Sequence, residues 1–296
     1  MNNKNWQMKN LSKLVFGCEP LGGTDWGDFD VDKIEEAIRY SLDLGVNFFD
    51  TANVYGLGLS ESRLSKILGS KRFDLFIATK GGISWERTHG RALTKINLEP
   101  SHIKKSVEDS LNRLRLESIP LYYIHWPDAN IDMSETFEML MLLKEQGKIQ
   151  HIGCSNFNLD QLKDANKITS IDFLQIPINI MIGLPSQNLL SYCKEHEVNI
   201  VAYNVLASGL LSGKYDENSK FNSNDRRSRL ESFSEKNMEE NLNKLKKLTE
   251  ASEARGLTII EHSLKWIFED ESIQFAITGI KNKQQIEQNF LALTTN

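Results

Sequence analysis

The chain has 296 residues, 40% of them hydrophobic and 25% charged, with a net charge of −5. That is enough apolar material for one large barrel or two ordinary domains, and the acidic balance argues against nucleic acid as the main partner, since phosphate binding needs a basic field. The opening MNNKNWQMKNL is too polar for a signal peptide, no apolar run approaches the ~20 residues of a membrane span, and three scattered cysteines, Cys18, Cys154 and Cys193, fit a reducing, cytoplasmic setting.

Short β-rich runs alternate with helical patterns. The first strand candidate is LVFG (14–17). GCEPLGG follows it, which does not fit the G-x-G-x-x-G fingerprint of a doubly wound dinucleotide fold. A helix is expected next, with Ile34, Ala37, Ile38, Ser41 and Leu42 on one face and Asp32 with Glu35 as its start signal. VNFFD (46–50) and LFIATK (75–80) are the second and third strands. A second helical face, Ile103, Val107, Leu111 and Leu114, precedes the fourth strand, LYYIHW (121–126). IQHIGCS (149–155), DFLQI (172–176) and NIVAY (199–203) are the fifth to seventh. The segment at about 213–236, containing NSNDRRSRLESFS, is the longest irregular stretch; such a loop is a functional lid or is disordered. Thr258 with Glu261 marks another helix start before the eighth strand, QFAITG (274–279). Branched, apolar strands of this kind suit a parallel sheet buried on both faces. Eight β/α units over this length predict an α/β fold, a (β/α)8 TIM barrel with eight parallel strands, forming one domain over 1–296.

Barrel enzymes build their sites from the C-terminal ends of the strands. Here the second strand ends in Asp50, with Tyr55 in the next loop; the third ends in Lys80 and the fourth in His125. Ser155 and Asn156 follow the fifth, Gln175 lies in the sixth, Tyr203 ends the seventh, and Gly279 and Lys281 follow the eighth. Each alone has an ordinary reading: a turn carboxylate, a solvated strand end, a core histidine, a packing aromatic. Asp, Lys and His closing three consecutive strands converge on one barrel mouth. A phenol is a poor proton donor at neutral pH, and a nearby ammonium lowers its pKa. An aspartate holds that ammonium, and a neutral histidine orients a carbonyl. Together these residues form a proton-delivery device for a developing alkoxide. No side chain supplies a hydride, so a nicotinamide cofactor is implied. No Cys or His pair has zinc-site spacing, and no metal is expected.

The segments FFDTANVYGLGLSE, FIATK, YYIHWPD, GKIQHIGCSNF, AYNVLASGLLSGKY and ITGIKNKQQIEQN, in this order, resemble the aldo-keto reductase superfamily over nearly the whole chain. The resemblance implies that Asp50, Tyr55, Lys80 and His125 are the catalytic tetrad. It implies that Ser155, Asn156 and Gln175 hydrogen-bond a nicotinamide carboxamide, that Tyr203 stacks on its ring, and that Leu206 and Ser208 lie along the pyrophosphate. Lys281, Gln285 and Asn289 would hold the adenosine end, with Gly279 before them; Gln285 and Asn289, four apart, share a helix face. The expected cofactor is NADPH/NADP and the partner a small carbonyl compound, with Glu19, Trp85 and Trp126 as candidate substrate contacts. The chain departs from the pattern at Asn204 and Val205, where many relatives have Ser-Pro. Lys281 stands for a frequent arginine, and Glu19 for a frequent aromatic residue. The chain also ends soon after IEQNF, where many relatives add another helix. The leading expectation is reduction of an aldehyde or ketone, with a lean toward a sugar-like carbonyl. The alternatives are a regulatory NADP-binding subunit, like the potassium-channel beta subunits, and an NADP-dependent polyol or sugar dehydrogenase.

Overall fold

A computed structural model describes residues 6–88, 92–128 and 130–294. The expected unit of 1–296 therefore includes termini outside the described residues. Eight parallel strands close into a barrel. They are β1 (Leu14–Gly17), β2 (Phe48–Asp50), β3 (Phe76–Gly81), β6 (Ile119–Ile124), β7 (Ile149–Ser155), β8 (Phe173–Pro177), β9 (Asn199–Tyr203) and β10 (Ile273–Gly279). Strand β1 pairs with both β2 and β10, which completes the ring. The helices are α1 (Val31–Asp43), α2 (Leu59–Leu68), α3 (Pro100–Leu114), α4 (Ser134–Glu145), α5 (Leu159–Ile168), α6 (Gln187–Glu195), α7 (Glu235–Glu253), α8 (Ile259–Ile267) and α9 (Lys283–Thr294). None is long and apolar enough to cross a membrane.

Both faces of the strands are buried, which is why they read as continuous apolar runs. One face packs outward on the helices with Phe16, Phe49, Ile77 and Ile124. The other fills the barrel with Val15, Phe48, Phe76, Tyr123, Phe173 and Phe275. Phe48 meets Phe76 edge-on at 4.9 Å, and Trp6 meets Phe76 edge-on at 5.3 Å. The interior is thus packed solid, and the C-terminal ends of the strands remain for a site.

Local expectations change in several places, and β2 starts only at Phe48. The N-cap of α1 is Asp30, whose Oδ1 accepts the Asp32 and Lys33 N–H groups. Its extended backbone aims the carboxylate at those amides, and Glu35 instead pairs with Arg39 along the helix. Strand β3 runs one residue past Lys80, because Gly81 O accepts the His125 N–H at 2.9 Å. The fourth barrel strand starts at Ile119 and ends at Ile124, so His125 and Trp126 follow it. A hairpin unread in the sequence, β4 (Ile83–Glu86) with β5 (Leu93–Ile96), separates β3 from α3. The Thr258–Glu261 capping box of α8 forms as expected. The long segment after β9 is ordered into two short turns, Arg226–Arg229 and Glu231–Phe233.

Candidate active site

Register sets the site. Asp50 pairs with Gly17 and Ala78, Lys80 with Tyr123, and Ser155 with Gln175, which places these side chains near the C-terminal ends of their strands. Lys80 Nζ lies 2.5 Å from Asp50 Oδ1, donates to Thr51 O at 3.0 Å, and reaches the Tyr55 hydroxyl at 3.5 Å. Lys80 and Asp50 are buried, and the ion pair with its added hydrogen bonds is what makes that burial tolerable. Gln175 Nε2 donates to Asp50 Oδ2 at 2.9 Å and occupies the second carboxylate oxygen. The His125 ring stands edge-on to the Tyr55 ring at 5.9 Å. The four residues read from strand ends therefore do meet.

Burial sets their protonation. The Tyr55 hydroxyl is pushed well above the ordinary tyrosine range, first by burial and then by the Glu19 and Asp50 carboxylates. The sequence expectation was the reverse, a phenol lowered by lysine. That ammonium is committed to Asp50, and desolvation of the phenolate prevails. Tyr55 is consequently a phenol rather than a phenolate at neutral pH. Burial, then Lys80 and Arg226, hold the His125 ring well below its ordinary range, so it is neutral.

Around this centre lie the other candidates. Asn156 adopts a φ of 66° and donates to His125 O at 3.0 Å and to Ser155 Oγ at 3.1 Å. The Tyr203 hydroxyl donates to Asn156 Oδ1 at 2.7 Å, and burial pushes its pKa up to about 12. These groups form one polar wall. With the Gln175 NH2 turned toward Asp50, the wall offers acceptor and donor oxygens that fit a primary carboxamide. Asn204, a departure from the expected serine, has φ 55°, a left-handed conformation that asparagine tolerates. Its Oδ1 accepts the Ser208 N–H at 2.7 Å and the Ser208 hydroxyl at 3.0 Å, fixing the turn that carries Leu206 and Ser208. Gly279 ends β10. The Lys281 N–H donates to Gln285 Oε1 at 2.8 Å, and the Gln285 N–H to Asn282 Oδ1 at 3.0 Å, so Gln285 helps to cap α9. Asn289 is buried on the same helix. The Lys281 ammonium is held by the carbonyls of Trp26 and Asp28. It borders a cleft of about 350 Å³ lined also by Thr24, Phe29 and Lys33. Trp126 follows His125 with 43% of its surface exposed, and Trp85 lies half-buried on β4.

Sequence reasoning missed how the long segment crosses to the loop after β1. Asp225 bridges to Trp26, the Arg226 N–H donates to Asp25 O at 2.8 Å, and Arg229 pairs with Asp25. Arg226 Nη1 pairs with Glu19 Oε1 at 2.8 Å. The usable signal was an Asp-Arg-Arg-Ser-Arg run together with acidic Glu19 and Asp25.

The profile of the aldo/keto reductase family matches residues 13–296. The aldo-keto reductase YhdN of Bacillus subtilis is 31% identical, over 93% of this chain and 83% of that one. The NADH-specific methylglyoxal reductase of Escherichia coli is 29% identical, over 97% of this chain and 91% of that one. The glycerol dehydrogenase AKR11B4 from Gluconobacter oxydans superposes with a TM-score of 0.85 at 31% identity, covering 97% of this chain and 87% of that one.

Proposed function

This chain belongs to the aldo/keto reductase family, and from that premise we propose that it reduces an aldehyde or ketone to an alcohol, in the cytoplasm, with NADPH. The observation that carries the reading is the buried Asp50–Lys80 pair with the Tyr55 hydroxyl 3.5 Å from the same ammonium. A nicotinamide held at this mouth would supply the hydride for the carbonyl carbon. Tyr55, protonated at neutral pH, gives its phenolic proton to the developing alkoxide. Lys80, fixed by Asp50, faces the phenolate that this leaves and stabilises it. Neutral His125 donates a hydrogen bond to the carbonyl oxygen and orients it. Ser155, Asn156 and Gln175 would hold the carboxamide, and Tyr203 would stack on the ring. Leu206 and Ser208 would border the pyrophosphate, and Lys281, Gln285 and Asn289, preceded by Gly279, would hold the adenosine end. NADPH over NADH rests on Lys281 and on the lack of an acidic residue in 279–283. The likeness to a glycerol dehydrogenase supports a second reading, in which the same groups work in reverse on a polyol.

The test is NADPH consumption against a panel of aldehydes, ketones and keto-sugars, with polyol oxidation by NADP as the reverse assay. Carbonyl-dependent consumption that vanishes in Tyr55→Phe is expected. NADPH binding without turnover on any carbonyl or polyol would favour a regulatory subunit instead.

A further inference from the structure

We propose that Glu19 and Arg226 together read a hydroxyl on the carbon next to the reacting carbonyl, so that neutral α-hydroxy aldehydes and ketones are the substrate class. The proposal rests on the carbonyl-reductase reading above and deepens it.

Position comes first. Glu19 lies two residues beyond β1, where the Cys18 N–H donates to Asp50 O at 2.8 Å. The turn it opens, Pro20–Gly22, packs its last glycine onto the backbone of Tyr55 and Gly56, where a Cβ would collide. Glu19 is thereby tied to the loop that carries the proton donor. Arg226 arrives on the segment after β9, two strands round the barrel from β1, with its guanidinium 5.4 Å from the centroid of the Trp26 ring. The two side chains meet at 2.8 Å, with Glu19 27% and Arg226 39% exposed. Their charges reach the reacting groups. Glu19 is the strongest charge acting on Tyr55, and Arg226 acts on Tyr55, His125 and Tyr203.

Chemistry then selects the ligand. A guanidinium has five N–H donors and no acceptor, while a carboxylate only accepts. Arg226 spends one donor on Glu19, which leaves further N–H groups on the same guanidinium. A hydroxyl, which both donates and accepts, satisfies such a pair at one atom. An anionic substituent would gain Arg226 but face Glu19, and an ammonium the reverse, so neither gains from the pair as a whole. Latching the long segment does not require this contact. Arg229 with Asp25 and the Trp26–Asp225 bridge already join it to the loop after β1.

The experiment compares kcat/KM for glyceraldehyde against propanal and for hydroxyacetone against acetone, with glyoxylate as the anionic probe. Wild type, Glu19→Leu, Glu19→Gln and Arg226→Met are measured, each checked for folding by thermal melt. Wild type should favour the hydroxylated member of each pair by about tenfold or more, the scale of one or two charge-assisted hydrogen bonds. That ratio should fall toward one in Glu19→Leu and Arg226→Met, and glyoxylate should gain on glyceraldehyde in Glu19→Gln. Should Glu19→Leu not fold, the near-isosteric Glu19→Gln carries the test through the glyoxylate shift. A wild-type ratio near one overturns the proposal, as do ratios that survive in folded Glu19→Leu or losses equal for every substrate. Turnover on no carbonyl at all removes the reductase reading and this proposal with it.

Discussion

Lys80 Nζ lies 2.5 Å from Asp50 Oδ1, with both side chains almost closed to solvent. Gln175 and Thr51 complete the hydrogen bonding of this pair. Such a pair is tolerated as a unit and fails when halved, because the surviving charge is left buried without a counter-ion. Lys80→Met should therefore destabilise the fold by about 3–5 kcal/mol. The double variant Asp50→Leu/Lys80→Met should recover much of that loss. Urea unfolding of the wild type, Lys80→Met, Asp50→Leu and the double variant checks both statements. A double variant as unstable as the worse single one would contradict the pairing argument.

Tyr55→Phe should remove turnover and spare the cofactor. The substitution deletes one oxygen, which lies 3.5 Å from the Lys80 ammonium, and leaves the ring contact with His125 in place. Loss of a general acid costs about 10²–10⁴ in rate. Steady-state kinetics beside a fluorescence titration with NADPH is the measurement. A variant retaining most of its kcat would remove Tyr55 from the role of proton donor.

The strands were legible because burial on two faces leaves a plain apolar signature, and IQHIGCS and NIVAY coincide with β7 and β9 residue for residue. Asp50, Lys80 and His125 were legible because charge at the end of an apolar run has few cheap explanations. The β4–β5 hairpin was not, because its strands are short and largely exposed, without the apolar alternation that marks a half-buried strand. The direction of the Tyr55 shift was also hidden. Sequence places a lysine near a tyrosine, but only the packed site shows that the ammonium is committed to Asp50 and that burial, with the Glu19 charge, raises the phenol pKa. The Glu19–Arg226 contact spans 207 positions, and no local pattern encodes a pairing of that separation.

The buried His125 should weaken the fold toward acid. Its pKa is held well below the ordinary value of about 6.5, so the unfolded chain takes up the proton first as the pH falls. Stability is then complete above about pH 6.5 and declines below it, by at most about 1.4 kcal/mol per pH unit from this one proton. His102 and His262 are lowered too and contribute in the same direction. His125→Gln should flatten the slope between about pH 6.5 and 5 by roughly one proton's worth without abolishing it. Unfolding free energies at several pH values decide this, and an unchanged slope would mean that His125 is charged in the fold.

Lys281 should carry much of a preference for NADPH over NADH. It stands just before α9, on a loop that also follows Gly279. Its ammonium already contacts two carbonyls, Trp26 O and Asp28 O, and burial followed by the charge of Arg227 lowers its pKa. An ammonium has three donors, so one remains for a phosphate oxygen. An anion there would also relieve the repulsion between Lys281 and Arg227. A charge-assisted contact of this kind contributes roughly 1.5–3 kcal/mol. Lys281→Met should therefore weaken NADPH binding by about one to two powers of ten, at 1.4 kcal/mol per decade. NADH, lacking the 2′-phosphate, should bind almost as before. The measurement is the dissociation constant of each cofactor for wild type and variant, repeated at higher salt, where the NADPH difference should shrink. Equal losses for both cofactors would assign Lys281 to anchoring the loop after β1 through Trp26 and Asp28. An unchanged NADPH affinity would pass the 2′-phosphate to Arg227, which Arg227→Met would then reveal by the same titration.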